Sequence, residues 1–464
     1  MNTLRRAVTL PLATLGLLVA CAGDGPTPPP PGVTVSGSVR DRYGEPISGA
    51  SVLIKGKSAV TSGSDGTFSI ADVVTPYDLT VILRAQNTAL VYKGLTRLDP
   101  SVFYPGATGA ERTATISGTA PPASGRVTSI SFFSSGGYAY GGGQADATTG
   151  QYAFTVSWNG SQGTYAGQLY LLRWTPGASL PSSFDGYASK PLTINAGGGF
   201  PGNDFAAVDV ADPPEQSISG TVAAPASYVL KHRQLVLLFG GAGLGWEENN
   251  PLSNAFTYTV PALSGVQNIV EALAFDNSSR AIDGTARWSE FFKTGISGNS
   301  SNVSVPLAAA PLLFSPADGA VGLDTTTSFS WGQGEGTGVN LFRLEPGDPT
   351  NPTFLVFTTA ADAKVPELAG AGMALPAGAS YTWEVDRIVP VASMNDAASD
   401  SFRRLFNVEA GDGGETYSEH FGFTTKAPGG TALRAAARPT APATNGVERR
   451  GLMMRAEAIA TGPR

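Results

Sequence analysis

The chain holds one cysteine and two histidines in 464 residues. A single Cys excludes an intrachain disulfide and every multi-cysteine metal site, and two His leave little material for histidine-based catalysis. Charge is also sparse: 30 Lys and Arg and 37 Asp and Glu stand against 58 Gly and 34 Pro, so turns are abundant and long, charge-laced surface helices are not supported. No Gly-x-Ser-x-Gly elbow and no phosphate-binding loop occurs, and Gly240-Gly241-Ala242-Gly243-Leu244-Gly245 lacks the spacing of a dinucleotide fingerprint, so the glycine runs read as loops. Long apolar runs are missing as well. The stretch Ala7 to Ala20 is too short to span a bilayer as a helix, which takes ~20 residues.

What is present is a strand-forming composition. Hydrophobic residues make up 42% and aromatics 9%, enough for packed cores despite the Gly and Pro. At ~150 residues per domain the length predicts about three domains, or four if they are small β-modules. The expected fold class is therefore all-β, a tandem series of small β-sandwiches with disordered ends.

The N-terminal residues read as a targeting segment, with Arg5 and Arg6 before the apolar stretch. It ends in Leu18-Val19-Ala20-Cys21, which resembles the lipobox of bacterial lipoproteins and uses the single Cys of the chain. The resemblance implies cleavage before Cys21 and diacylglyceryl attachment to it, with further acylation giving stable anchoring. Ala22 after the Cys, rather than Asp, favours the outer membrane or cell surface over inner-membrane retention. Residues 21–32, with Pro26 and Pro28 to Pro31, are expected as an extended polyproline tether.

At the other end, residues 427–464 are expected as a disordered basic tail; from Lys426 onward, seven Lys and Arg face Glu448 and Glu457. With this net +5 and the +2 of the signal removed from the whole-chain −7, residues 22–425 carry −14. An acidic body argues against nucleic acid as a partner.

Three segments share an order of features, the mark of an internal repeat. Each opens on a Ser-Gly strand: Ser36-Gly37, Ser117-Gly118 and Ser219-Gly220. A turn then feeds an aromatic alternation: Asp65-Gly66-Thr67-Phe68, Gly150-Gln151-Tyr152-Ala153-Phe154 and Asn254-Ala255-Phe256-Thr257-Tyr258, with Gly or Asn supplying the positive φ of the turn. A further strand follows at Leu79 to Leu83, Gln168 to Leu172 and Ile269 to Phe275. With Gly44-Glu45-Pro46-Ile47-Ser48-Gly49-Ala50, the first segment resembles the carboxypeptidase regulatory-like family. That resemblance implies a transthyretin-like sandwich of about seven strands, non-catalytic, serving as a spacer or binding module. It is expected at residues 33–110, with related sandwiches at 111–212 and 213–310.

From Leu312 the pattern changes. Ser315-Pro316, Phe329-Ser330-Trp331, Tyr381-Thr382-Trp383 and Phe421-Gly422-Phe423 resemble a bacterial fibronectin type III-like domain over residues 311–426, with Trp331 as the expected core Trp. Residues 386–417 are longer and more polar than that family needs.

Candidate sites are few. Aromatics are dense in the second segment, and Tyr138 and Tyr140, flanked by glycines, are the rings expected to face solvent and to stack on sugars. Asp204, Asp209 and Asp212, with Asn203 and Glu215, form an acidic junction that could offer oxygen ligands to Ca²⁺, though the spacing fits no EF-hand, and a solvated linker is the plainer reading. His232 and His420 have no partner motif and read as solvated or structural. No catalytic residue and no cofactor is expected. The leading expectation is a non-enzymatic, lipid-anchored envelope protein that acts as spacer and interaction protein, with envelope polysaccharide or another surface protein as partner. A carbohydrate-binding surface protein is the alternative. A hydrolase, third, would need a pocket with paired carboxylates.

Overall fold

The computed structural model describes residues 32–278, 286–405 and 411–427. The expected signal segment, Cys21, most of the expected tether and the expected tail beyond Ala427 lie outside the described residues.

The three related segments fold alike. Each has seven strands among the described residues, in the same two-layer order. In the first unit, Val33–Asp41 runs antiparallel to Thr67–Val73 and parallel to Ser101–Tyr104. In the second, Glu111–Thr119 lies in the same way between Gln151–Asn159 and Gly199–Phe200, and in the third Glu215–Ala223 lies between Ala255–Pro261 and Val303–Pro306. The facing layer is also common to them. It runs Val60–Thr61, Ser51–Ile54, Tyr77–Leu83, Thr88–Leu95 in the first unit and Ala242–Asn249, Tyr228–Phe239, Val266–Asp276, Trp288–Ile296 in the third.

The Ser-Gly motif has a steric cause. Gly37 is registered opposite Phe68, Gly118 opposite Tyr152 and Gly220 opposite Phe256. A Cβ on Gly37 would lie 2.3 Å from the Pro100 carbonyl oxygen and 2.6 Å from the Phe68 ring; on Gly220 it would lie 2.0 Å from the Val303 oxygen and 2.8 Å from Phe256. Gly118 would meet the Asn203 backbone at 2.7 Å. The glycine thus makes room for the buried ring on one side and for the incoming chain on the other. Gly66 and Gly150 take the positive φ expected of the turns, whereas in the third unit Asn250, not Asn254, does so.

The glycine runs are not simply loops. Tyr140–Gln144, containing Gly141 to Gly143, is a strand that pairs with Val127–Ser134 and, at Tyr140, with Ser157, so the second unit's two layers join into one seven-stranded sheet. A Cβ on Gly141 would sit 2.3 Å from the Thr155 oxygen, which explains why the crossing strand is glycine-rich. Gly240 and Gly241 do form a turn, but Gly243 and Gly245 lie in the strand Ala242–Asn249.

The fourth unit has Leu312–Ser315, Ser328–Gly332 and Asp362–Lys364 in one layer. Val339–Pro346, Thr353–Thr358, Ser380–Val389, Gly413–Tyr417 and Phe421–Thr425 form the other, with Ala320–Leu323 pairing the last of these in parallel. Trp331, Tyr381 and Trp383 are buried in its core with Phe329, Phe342 and Phe423.

The units are not separate beads. The outer layers of the third, fourth and first units form one continuous 14-stranded sheet. Trp288–Ile296 pairs antiparallel with Gly413–Tyr417, and Thr88–Leu95 pairs parallel with Thr353–Thr358. Ala89-Leu90-Val91-Tyr92 and Phe354-Leu355-Val356-Phe357 are buried on both faces, as strands inside a wide sheet require. The described parts of the long stretch 386–417 belong to this junction. Its short helices Met394–Ala397 and Asp400–Leu405 bring Met394, Ala397, Phe402 and Leu405 into the core that also holds Val102 and Phe103 of the first unit. Asn395 Oδ1 accepts from the Thr96 and Arg97 amides at 3.0 and 2.9 Å. The second unit packs face-on against the third through Trp174 and Phe184 on Trp246 and Tyr170 on Phe239.

Candidate functional site

Tyr138 and Tyr140 do not stand on an open surface. Tyr138 is half-buried against the second unit's core, and its hydroxyl accepts from Arg403 Nη1 of the fourth unit at 3.0 Å. Tyr140 is half-buried against the core shared by the second and third units. Of the other rings in that segment, Trp158 donates to the Gln162 carbonyl at 2.8 Å and packs edge-on against Tyr165, while Tyr170, Trp174 and Tyr187 line the junction with the third unit. Alternation put these rings inward, and the neighbouring unit covers those on the outer face.

The acidic junction is spread along the chain's exit from the second unit. Asp204 Oδ1 accepts from the Thr119 hydroxyl and amide, both at 2.8 Å, and these bonds hold its carboxyl below the usual carboxylate range. Asp209 accepts from the Ala206 amide at 3.3 Å, and Glu215 from the Phe184 amide at 2.7 Å. Asp212 is exposed. Among the described residues no group of three or more His, Cys, Asp or Glu is placed to hold a metal ion, so these side chains pin backbone rather than converge on a centre.

The structure assembles a different cluster. Arg343 on Val339–Pro346, Glu384 and Asp386 on Ser380–Val389, and Glu415 and Tyr417 on Gly413–Tyr417 share one face of the wide sheet. Arg343 Nη2 donates to Asp386 Oδ2 at 2.7 Å, its Nε lies 3.2 Å from Glu384 Oε1, and His420 Nδ1 lies 2.6 Å from Glu384 Oε2. Among the described residues Asp386 Oδ1 has no hydrogen-bond partner. Beside the cluster Arg287 pairs with Asp276 and lies 3.7 Å from Glu419.

Its electrostatics follow from the absence of water. Asp386 and Glu415 are 0% exposed. Burial pushes Asp386 up to about 7, with Arg343 opposing and Glu384 reinforcing. Burial pushes Glu415 up to about 8, with Asp386 adding to the rise. Against the effect of burial, Asp386, Glu384 and Glu345 hold the Arg343 guanidinium charged. Two neighbouring carboxyls with raised pKa values are the raw material of acid–base catalysis. Here neither touches solvent.

Sequence reasoning missed this cluster because polar residues at every second position of a strand read as a solvated face. In the structure the same face carries Leu341, Ile388 and Phe357, which belong to the core shared with the first unit. The signal available was the charge run within apolar strands: Arg343 between Phe342 and Leu344, and Glu384 and Asp386 flanking Val385. His232 and His420 are both largely buried: His232 Nδ1 is 3.4 Å from Asn249 Oδ1, and His420 belongs to the cluster.

No family model matches the chain, and no curated protein does. Among solved structures the chain is similar to the TIE protein of Bacillus anthracis, at 10% identity over 60% of this chain and 50% of that one, with a TM-score of 0.15. It is similar to the shaft pilin SpaA of Lactobacillus rhamnosus GG at 9% identity, over 43% of this chain and 97% of that one, TM-score 0.14. The major pilin subunit BcpA of Bacillus cereus matches at 7% identity, over 59% and 99%, TM-score 0.13. The chain spans about half the length of the first of these. At such identities and scores no property is carried over to this protein.

Proposed function

We propose that the protein is a non-enzymatic bacterial cell-envelope lipoprotein, anchored through acylated Cys21, whose tether presents a rigid all-β body as spacer and interaction surface at the outer membrane or cell surface. The observation that carries this reading is the continuous sheet through the third, fourth and first units. A body welded in this way holds a fixed shape at a fixed distance from its anchor, which suits spacing and display. The carboxyl pair that would serve a hydrolase is sealed from solvent. The repeated seven-strand order supports reading the first three units as carboxypeptidase regulatory-like, and the Trp331, Tyr381 and Trp383 core supports a fibronectin type III-like fourth unit.

The test is Cys21→Ala in cells labelled with radioactive palmitate, followed by fractionation. The wild type should carry label and sediment with membranes; the variant should lose both. Retention of an unlabelled protein in the membrane fraction would overturn the reading.

A further inference from the structure

Within the shared sheet, the third and fourth units meet along one antiparallel strand pair, Trp288–Ile296 with Gly413–Tyr417. In that pair Glu290 lies directly opposite Glu415, the former 3% exposed and the latter 0%. Like charges directly opposite in a ladder are destabilising, and an ionised carboxylate out of water is more so unless paired. On the other side of the same strand, Asp386 is registered opposite Tyr417.

The groups facing Glu415 among the described residues can be named strand by strand. Val339–Pro346 contributes Arg343, and Ser380–Val389 contributes Glu384 and Asp386. Trp288–Ile296 contributes Glu290, and its own strand Tyr417. Arg287, His420 and Glu419 stand at the edge of the cluster. The basic side chains are engaged elsewhere: Arg343 with Asp386, Glu384 and Glu345, and Arg287 with Asp276 and Glu419, while the His420 ring lies against Glu384. Among the described residues no salt bridge is formed by Glu415.

We propose that this junction is a proton latch: Glu415 as a neutral acid lets Gly413–Tyr417 bridge the two units, and its ionisation releases that strand from between its neighbours. The direction follows from linkage. Glu415 has a folded-state pKa raised from 4.5 to about 8, so its contribution is fully present below the unfolded value and is lost as pH rises through about 8. Asp386, raised to about 7, titrates with it and acts in the same direction. Release is local, because the Ala309 amide still donates to Glu335 at 3.1 Å and the Glu335 amide to the Ala309 carbonyl at 3.0 Å across the same two units.

The experiment is hydrogen exchange by mass spectrometry on the whole chain at pH 6 and pH 9, corrected for the intrinsic pH dependence of exchange. Protection of the peptide covering residues 413–417 should fall by up to about tenfold for each pH unit as pH rises toward the latch pKa and level off above it, while the strand Val33–Asp41 keeps its protection. Glu415→Gln, which cannot ionise, should keep residues 413–417 protected at pH 9. Unchanged protection in the wild type, or equal loss in Glu415→Gln, would overturn the latch. Should Glu415→Gln not fold, Asp386→Asn serves: removing the charge that raises Glu415 makes its ionisation less costly, so residues 413–417 should lose less protection by pH 9 than in the wild type, and an equal loss would overturn the proposal.

Discussion

Tyr92 stacks on Phe357 with ring centroids 4.5 Å apart and planes inclined by 19°, although the two residues belong to the first and last units of the chain. They are registered partners in the parallel pair Thr88–Leu95 with Thr353–Thr358, and both are buried. Removing either ring by Tyr92→Ala or Phe357→Ala should cost ~3–5 kcal/mol, read from denaturant unfolding. Because the rings touch, the double variant should cost less than the sum. Additive losses would mean that the two rings stabilise their own units only.

The Ser-Gly glycines make a second prediction. Gly37→Ala and Gly220→Ala drive a methyl into a backbone oxygen at 2.3 and 2.0 Å, which only backbone movement relieves, so each should destabilise by roughly 1–3 kcal/mol. Gly199→Ala is the control: nothing lies within 4 Å of its Cβ position, and its effect should stay within about ±0.5 kcal/mol. Equal melting temperatures for all three variants would remove the steric account of the repeat.

For the second unit, Tyr138→Phe deletes the acceptor of a buried guanidinium that otherwise bonds Asp400 at 3.0 Å. The expected loss is about 1.5–3 kcal/mol, the range for hydrogen bonds to charged groups. Replacing Tyr138 and Tyr140 together by Ala should lower the melting temperature further. Retention on envelope polysaccharide, measured on the same protein, separates the two uses of these rings: a stable double variant that loses retention would restore them as glycan contacts.

Stability should also fall on the acid side. Burial works the other way, but hydrogen bonds from Arg233 and Tyr258 hold Glu248 below its ordinary 4.5, and bonds from Ser278 hold Asp276 below 3.8. Folded values depressed in this way give stability that is present above the unfolded pKa and lost as pH falls through the folded one. Thermal melts from pH 2 to 9 should show this limb, and Glu248→Gln should flatten it. An unchanged acid limb in that variant would assign the loss to other carboxylates.

Much of the fold was written in local signals. The Ser-Gly strands, the Asp65-Gly66 turn and the inward Phe68, Tyr152 and Phe256 each depend on residues a few positions apart, and period-2 patterning reports them. The joining of the sheets was not legible in that way. Leu90 finds Leu355 across more than 260 residues of chain, and the sole trace is that both strands are apolar on two faces where a half-exposed strand would alternate. The buried cluster was hidden for the complementary reason. Arg343, Glu384 and Asp386 alternate correctly for a wet face, and what makes the face dry is the assembly of the units around it.

The pairing of the first unit with the fourth closes the chain into a loop, and a loop responds to cutting differently from a string. A protease that nicks the backbone once between the second and third units, near Asp212, leaves two fragments that remain joined by the Thr88–Leu95 and Thr353–Thr358 strands, by Asn395 on Thr96, and by Tyr170 and Trp174 against the third unit. A single cleavage there would therefore be visible on a denaturing gel and silent in the mass of the native protein.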